Sequence, residues 1–344
     1  MLQARGTAVW PDGTVAGRYG FLHALYQEVL YERLPAGRRR QVVVISAPQK
    51  HHHVHDPVVG YLFDAALDLW SLGYPDQALK KGHEALTLAR EMSHPFSLAL
   101  ALHFAAGLHI LCREVQAVQD LAEELITLST EQGFSYRAAA GTIFRGWVLS
   151  EQGQGEEGII QIHKGLAALR ATGAGISEPF YLTLLAAAYA QVGRIGEGLA
   201  LLDEALALIN KTGERVSEAG LYMLKGWLTL QSQASPEEVS GKSKASQNAK
   251  RKTQNAKVTD RHPLIPDPQG EAEAYFLKAV DITRQQQAKS LELRGATILA
   301  RLWQHQGKQK EAHQMLSEVY NWFTEGFDTK DLQEAKALLD ELRR

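Results

Sequence analysis

The chain has one cysteine, Cys112, in 344 residues. That excludes an internal disulfide, and with it the small cross-linked scaffolds of secreted proteins; a reducing compartment, the cytoplasm, is the expected home. No apolar run approaches the roughly 20 residues that a membrane-spanning helix needs. The N-terminus has no basic stretch leading into a hydrophobic one, so no secretory leader is expected. Proline is scarce, at 11 residues, which excludes collagen-like and proline-rich extended chains. An excess of one charge is missing too: 37 Lys and Arg stand against 39 Asp and Glu, for a formal net charge of −2. Nothing therefore draws the whole molecule to nucleic acid or to an anionic membrane. What is present is apolar material, at 45% of residues with 22% charged, enough for a sizeable core in a soluble protein.

Glycine carries the organisation. Gly133, Gly173 and Gly213 recur at intervals of forty, and so do Gly153 and Gly193. The surrounding phrases repeat as well. Ser150-Glu-Gln-Gly153 leads to Gly158, Ile162, Gly165 and Leu166, while Ala190-Gln-Val-Gly193 leads to Gly198, Leu202, Ala205 and Leu206. Earlier copies keep the phase through Leu72-Gly73, Ala78, Gly82 and Ala85, and through Cys112, Ala117, Leu121 and Leu125. Arg145-Gly-Trp147 returns as Lys225-Gly-Trp227; the match then lapses until Ala272, Phe276 and Ala279, and a last copy carries Gly307, Ala312, Leu316 and Val319. Six units of helix, tight turn and helix fit one register if a single insertion is allowed. One such hairpin cannot bury its apolar face alone, whereas stacked hairpins share a continuous core. The turn glycines close helices because glycine takes a left-handed conformation without a Cβ penalty. Asp331 to Leu342, with apolar residues at helical spacing, reads as a cap on the last unit.

Leu72-Gly73, Ala78, Ala85 and Tyr189-Ala-Gln-Val-Gly193 resemble the tetratricopeptide pattern, on a unit longer than that family's roughly 34 residues. Leu72-Gly-Tyr-Pro-Asp-Gln-Ala-Leu79, Ser93-His-Pro-Phe-Ser-Leu98, Glu151-Gln-Gly-Gln-Gly-Glu-Glu-Gly158 and Trp322-Phe-Thr-Glu-Gly-Phe327 are similar to the tetratricopeptide-like arm behind the ATPase core of large bacterial signalling proteins. Those proteins include cyclase-coupled and transcription-coupled ATPases. The resemblance implies a right-handed all-α solenoid that senses a partner or effector and performs no catalysis itself.

Residues 1–40 differ in kind. Trp10-Pro-Asp-Gly13 is a turn signal between short extended segments, and Phe21, Leu25, Val29 and Leu30 recur at helical spacing. Arg18 to Leu34 resembles the end of the winged-helix region that follows the nucleotide-binding core in those ATPases. Residues 41–56 depart from that family, reading as a strand, Gln41 to Ser46, and a polar linker with His51, His52, His53 and His55; the chain is read as a possible fragment or deletion product. Imidazoles bind metals, yet a linker offers no fixed second shell, so no metal site is assigned. Gly153-Gln-Gly-Glu-Glu-Gly158 matches a dinucleotide motif by letter, but it joins two helices and puts carboxylates where a pyrophosphate would lie. Gly241-Lys-Ser243 lacks the leading glycine of a phosphate loop, Pro236 standing in its place. Residues 232–269 are basic and almost without large apolar side chains before Leu264, a composition that cannot offset its ordering entropy. They read as an insertion between the two helices of the fifth unit. The repeats therefore occupy 57–231 and 270–344.

No spacing of Ser, His, Asp or Cys sets up a reacting pair, and no cofactor is expected. The candidate site is the concave face, lined in such solenoids by the first helix of each unit. In this register it presents Phe63, Trp70, His103, Trp147, Phe180, Met223, Trp227, Arg294 and Arg301. An aromatic groove with few polar groups suits a protein or peptide partner, with a small-molecule effector the other occupant. Packing between units claims about half of these side chains on general burial tendencies. A free-standing adaptor that assembles complexes is the alternative reading.

Overall fold

The structure, a computed structural model, describes residues 2–9, 15–21, 57–175, 177–232 and 267–343. Two antiparallel strands, β1 (Leu2–Val9) and β2 (Val15–Phe21), pair from Leu2 opposite Phe21 to Val9 opposite Val15, as the turn signal between them requires. Phe21, expected to open a helix with Leu25, Val29 and Leu30, instead ends β2; the rest of that helix, the histidine linker and most of the basic insertion lie outside the described residues, while Pro268 and Gln269, expected in the insertion, already belong to a helix.

The rest is all-α. Six hairpins follow one another: α1 (Pro57–Ser71) with α2 (Pro75–Glu91), α3 (Pro95–Leu111) with α4 (Val115–Glu131), and α5 (Ser135–Glu151) with α6 (Gly155–Ala171). Then come α7 (Glu178–Gln191) with α8 (Ile195–Thr212), α9 (Glu218–Gln231) with α10 (Pro268–Gln286), and α11 (Lys289–His305) with α12 (Gln309–Tyr320). Helix α13 (Lys330–Leu342) caps the last pair by burying Leu332, Ala335, Leu338, Leu339 and Leu342. The insertion does separate the helices of the fifth unit. Across it the pair stays in register, with the Phe276 ring lying where a Cβ on Gly226 would stand, 2.5 Å away.

The period is written in backbone dihedrals. Positive φ occurs at Gly73, Ser93, Arg113, Gly133, Gly153, Gly173, Gly193 and Gly213, one residue in every twenty. Each lies at a turn between helices, where a left-handed residue lets the chain satisfy the last carbonyls of the preceding helix. The turns at Ser93 (φ 51°) and Gln287 (φ 56°) have the conformation without the glycine. A side chain there costs about 1 kcal/mol relative to glycine. Ser93→Gly and Gln287→Gly should each raise the free energy of unfolding by about 0.5–1 kcal/mol in urea titration; a loss of stability would show that the side chains contribute more than their strain.

Two layers result. Each first helix packs on the next (α1 on α3, α3 on α5, α5 on α7, α7 on α9, α9 on α11), whereas among the described residues no second helix packs closely on another. The first helices are therefore the inner layer of a curved stack and the second helices the outer layer, since neighbours on the inside of a curve are the closer. The inner layer then returns on itself, because α11 also packs against α1. Ser290 Oγ, at the start of α11, donates to the Trp70 carbonyl at the end of α1 at 2.5 Å. The start of one helix meets the end of the other, so the superhelix completes one turn and closes like a lock washer.

Polar groups hold this closure. Arg294 donates to Asp331 at 2.5 Å and to the Leu111 carbonyl at 2.8 Å, and its guanidinium lies 5.7 Å from the Trp70 ring centre. Arg113 donates to Asp331 and Glu334 at 3.3 and 2.9 Å, and Lys330 to the Arg113 carbonyl at 3.0 Å. The Gly326 amide donates to Asp76 at 3.0 Å, and the Gln77 side chain to Glu325 at 2.7 Å.

Candidate functional site

The inner layer is where a first-helix groove must lie, and the nine residues expected there part company. Phe63, Trp70, Met223, Trp147 and His103 are buried, at 0%, 4%, 4%, 7% and 8% exposure. They are packing residues in this structure rather than surface. Phe63 stacks on Phe104 of the next unit at 5.8 Å between ring centres, and Met223 lies against Gly295 of α11. Trp70 and Arg294 meet at the ring closure. Phe180 is half-buried, Arg301 is exposed, and Trp227 is 39% exposed on the inner-layer helix α9. All nine lie on first helices, and the tight stacking of those helices buries five of them, close to the half that packing was expected to claim.

A second group of inner-layer residues was not evident from that register. Arg137 sits in the first turn of α5, a turn that contains no acidic residue. Its guanidinium carbon is 5.1 Å from the centre of the Tyr136 ring and 5.9 Å from that of Phe104. Among the described residues it has no carboxylate partner. Burial lowers its pKa, and the phenol oxygens of Tyr136 and Tyr181 act in the opposite direction. The His103 ring lies 5.4 Å from Phe104 and 6.0 Å from Tyr136, the same two rings that Arg137 covers, and 5.4 Å from Phe144. Burial first, and the Arg137 charge second, hold the His103 imidazole well below its ordinary pKa, so the ring is neutral. Its buried Nδ1 has no hydrogen-bond partner among the described residues. One turn further along α3, a Cβ on Gly107 would meet nothing within 4 Å, so the surface beside that glycine is open. One signal in the sequence does mark Arg137. It places a cation at a helix N-terminus, where the dipole opposes it, with Gly133, Phe134, Ala140 and Gly141 at the spacings where a carboxylate would compensate.

Other chemistry finds little support. Cys112 is buried at the closure, and burial, followed by the Glu114 charge, pushes its thiol up to about 12, far from a reactive thiolate. The cavity beside it, lined by Trp70, Ser290 and Asp331 among others, has a volume of about 20 Å³, room for a single water. No cluster of three metal-ligating side chains occurs among the described residues, nor any helix long and apolar enough to cross a membrane.

No family model matches the sequence, and no curated protein matches it. Solved structures do resemble it. NprR in complex with its cognate peptide NprX superposes with a TM-score of 0.54 at 15% identity, covering 94% of this chain and 79% of that one. The Rap conjugation gene regulator of the plasmid pLS20, in complex with the Phr* peptide, gives 0.53 at 8% identity, covering 93% and 70%. A signal transduction ATPase with a tetratricopeptide repeat sensor from Pyrococcus horikoshii gives 0.41 at 15% identity, covering 83% of this chain and 37% of that one. The first two likenesses are ones of fold, and the fold is a tetratricopeptide-like helical-repeat solenoid.

Proposed function

We propose that this chain is a non-catalytic interaction arm whose inner surface takes a peptide or a segment of a protein partner. The observation that carries the reading is the aromatic and cationic surface left on the inner layer, Trp227, Phe180 and Arg301 with Phe104 and Arg137, supported from beneath by Phe63, His103, Trp147 and Met223. Exposed aromatics on a concave face are what peptide recognition uses: large contact area at low entropic cost, with polar groups setting orientation. Two proteins of the same fold, NprR and the Rap regulator, are in complex with peptides. The resemblance of residues 57 to 340 to signalling arms extends the proposal: the arm belongs to a cytoplasmic, bacterial signal-transducing ATPase, cyclase-coupled or transcription-coupled. On that proposal residues 1–40 are the remnant of its winged-helix region, and residues 41–56 a linker.

A photo-reactive benzoylphenylalanine at position 227 tests the binding face, with the same group at position 160 as the control. Ile160 is 59% exposed on the outer helix α6. Peptides selected on the full chain from a displayed random library should cross-link at 227 and not at 160. Selection without enrichment, or cross-linking confined to 160, would sink the proposal.

A further inference from the structure

We infer that Arg137, with His103, Tyr136 and the Phe104 ring around it, forms a receptor for a carboxylate group on the inner layer of the second and third units. The inference rests on the reading of the inner surface as the binding face and adds the chemical class of what is bound there.

Four observations converge. The Arg137 guanidinium is half-buried against two rings and has no carboxylate among the described residues. A partly desolvated cation left unpaired is destabilising, and an incoming anion removes that penalty. The N-terminus of the 17-residue helix α5 adds positive potential at the same place, and no acidic residue in its first turn cancels it. His103 Nδ1 is enclosed and has no partner among the described residues, in a side chain 8% exposed that borders the same two rings. Native proteins seldom leave such an atom without a partner unless the site has a use for it. Finally, the surface beside Gly107, one turn along α3 from His103, is open.

The charge balance selects the ligand. One fixed cation stands among neutral donors, which matches a singly charged, planar group that the guanidinium fork can hold through two parallel bonds. A phosphate dianion would remain undercompensated. Glu214, the carboxylate that acts on neighbouring Tyr181, is engaged by the Ser177 backbone amide at 3.3 Å and makes no bond to Arg137. The side chains that border the guanidinium, Phe104 and Tyr136, are aromatic, so the carboxylate arrives attached to an apolar body. It comes either from a peptide, as an acidic side chain flanked by large residues, or from a small free acid.

The test uses the full chain and its Arg137→Met variant, which keeps length and removes charge. Probes are N-acetylphenylalanine, its amide, and the blocked peptide Ala-Phe-Asp-Phe-Ala with its Asp→Asn counterpart, titrated calorimetrically. Acid probes should bind at least tenfold more tightly than their amide partners, and R137M should lose that preference while binding the amides unchanged. Without ligand, R137M should melt at least about 2 °C higher, since it removes an unpaired charge. A purely structural arginine predicts the reverse, a lower midpoint and no preference for acid over amide, and that pair of results overturns the inference. An acid preference that survives in R137M also overturns it. Preference for the free acid alone identifies a small effector, and preference for the aspartyl peptide a protein partner. If selected peptides cross-link at position 227 but no probe distinguishes acid from amide, the binding face stands and the carboxylate receptor falls.

Discussion

Gly158→Ala lowers the stability of the protein by about 2–3 kcal/mol, although it replaces the poorest ordinary helix former with the best. In an exposed helix interior the same exchange stabilises by about 1 kcal/mol. Helices α5 and α6 approach through glycines on both sides. A Cβ on Gly158 would stand 2.6 Å from the Gly146 carbonyl oxygen and 3.0 Å from the Ser150 amide, with the Ser150 hydroxyl closer still. Gly165 and Gly146 are equally confined, each by backbone and isoleucine atoms of the partner helix. Backbone cannot swing aside as a flexible side chain would, so the hairpin must open and loosen Ile159, Ile162 and Leu166, all 4% exposed or less. Gly196 is the control. It lies exposed on α8, where a Cβ would meet nothing within 4 Å, and Gly196→Ala should raise stability by about 0.5–1 kcal/mol. Urea unfolding of the two variants decides the matter, and midpoints that move in the same direction would refute the close approach.

Asp331→Ala opens the ring. The Asp331 side chain is 14% exposed and accepts from Arg294, itself 24% exposed, and from the more exposed Arg113. Removing it strands the Arg294 guanidinium against Trp70 and leaves Arg113 with its exposed partner Glu334. Loss of one partner of a largely buried pair costs about 3–5 kcal/mol; the partial exposure here reduces that to about 2–3 kcal/mol, and most of it belongs to Arg294 because the Arg113 pair is screened. The loss falls where the first and last units meet, so the remaining closure contacts come apart more readily. Small-angle scattering should give a larger radius of gyration for the variant, and protease should cut sooner near the connection between α12 and α13. Trp322 and Phe323 also pack on the Gly73 turn, 2.6 and 3.1 Å from where a Cβ there would stand; a variant with unchanged radius and unchanged urea midpoint would mean that this packing closes the ring without the ion pair.

Much of this was legible in the chain. The forty-residue series fixes helix, turn and helix because each turn needs a left-handed residue, and glycine is the residue that takes it at no cost. Ala272, Phe276 and Ala279, all fully buried, show that the register survives the insertion. A local pattern can also say which face of α5 carries Trp147. It cannot say whether that face looks onto solvent or onto the neighbouring first helix, because this depends on how sharply the stack curves. His103, Trp147 and Met223 lie in the expected helices and fall to the half of the set that packing claims, a division the pattern alone could not make. Arg137 was the opposite case, an oddly placed cation whose meaning appears only when Tyr136, Phe104 and His103 gather round it.

The sequence by itself determined the repeat, the helices and the absence of a cross-link, since these depend on backbone conformation and on spacing within about twenty residues. Tertiary structure decided the closure of the ring and the makeup of the inner surface. Ser290 and Trp70 lie 220 residues apart, and such a meeting follows from small rotations accumulated over six units, which no local pattern encodes.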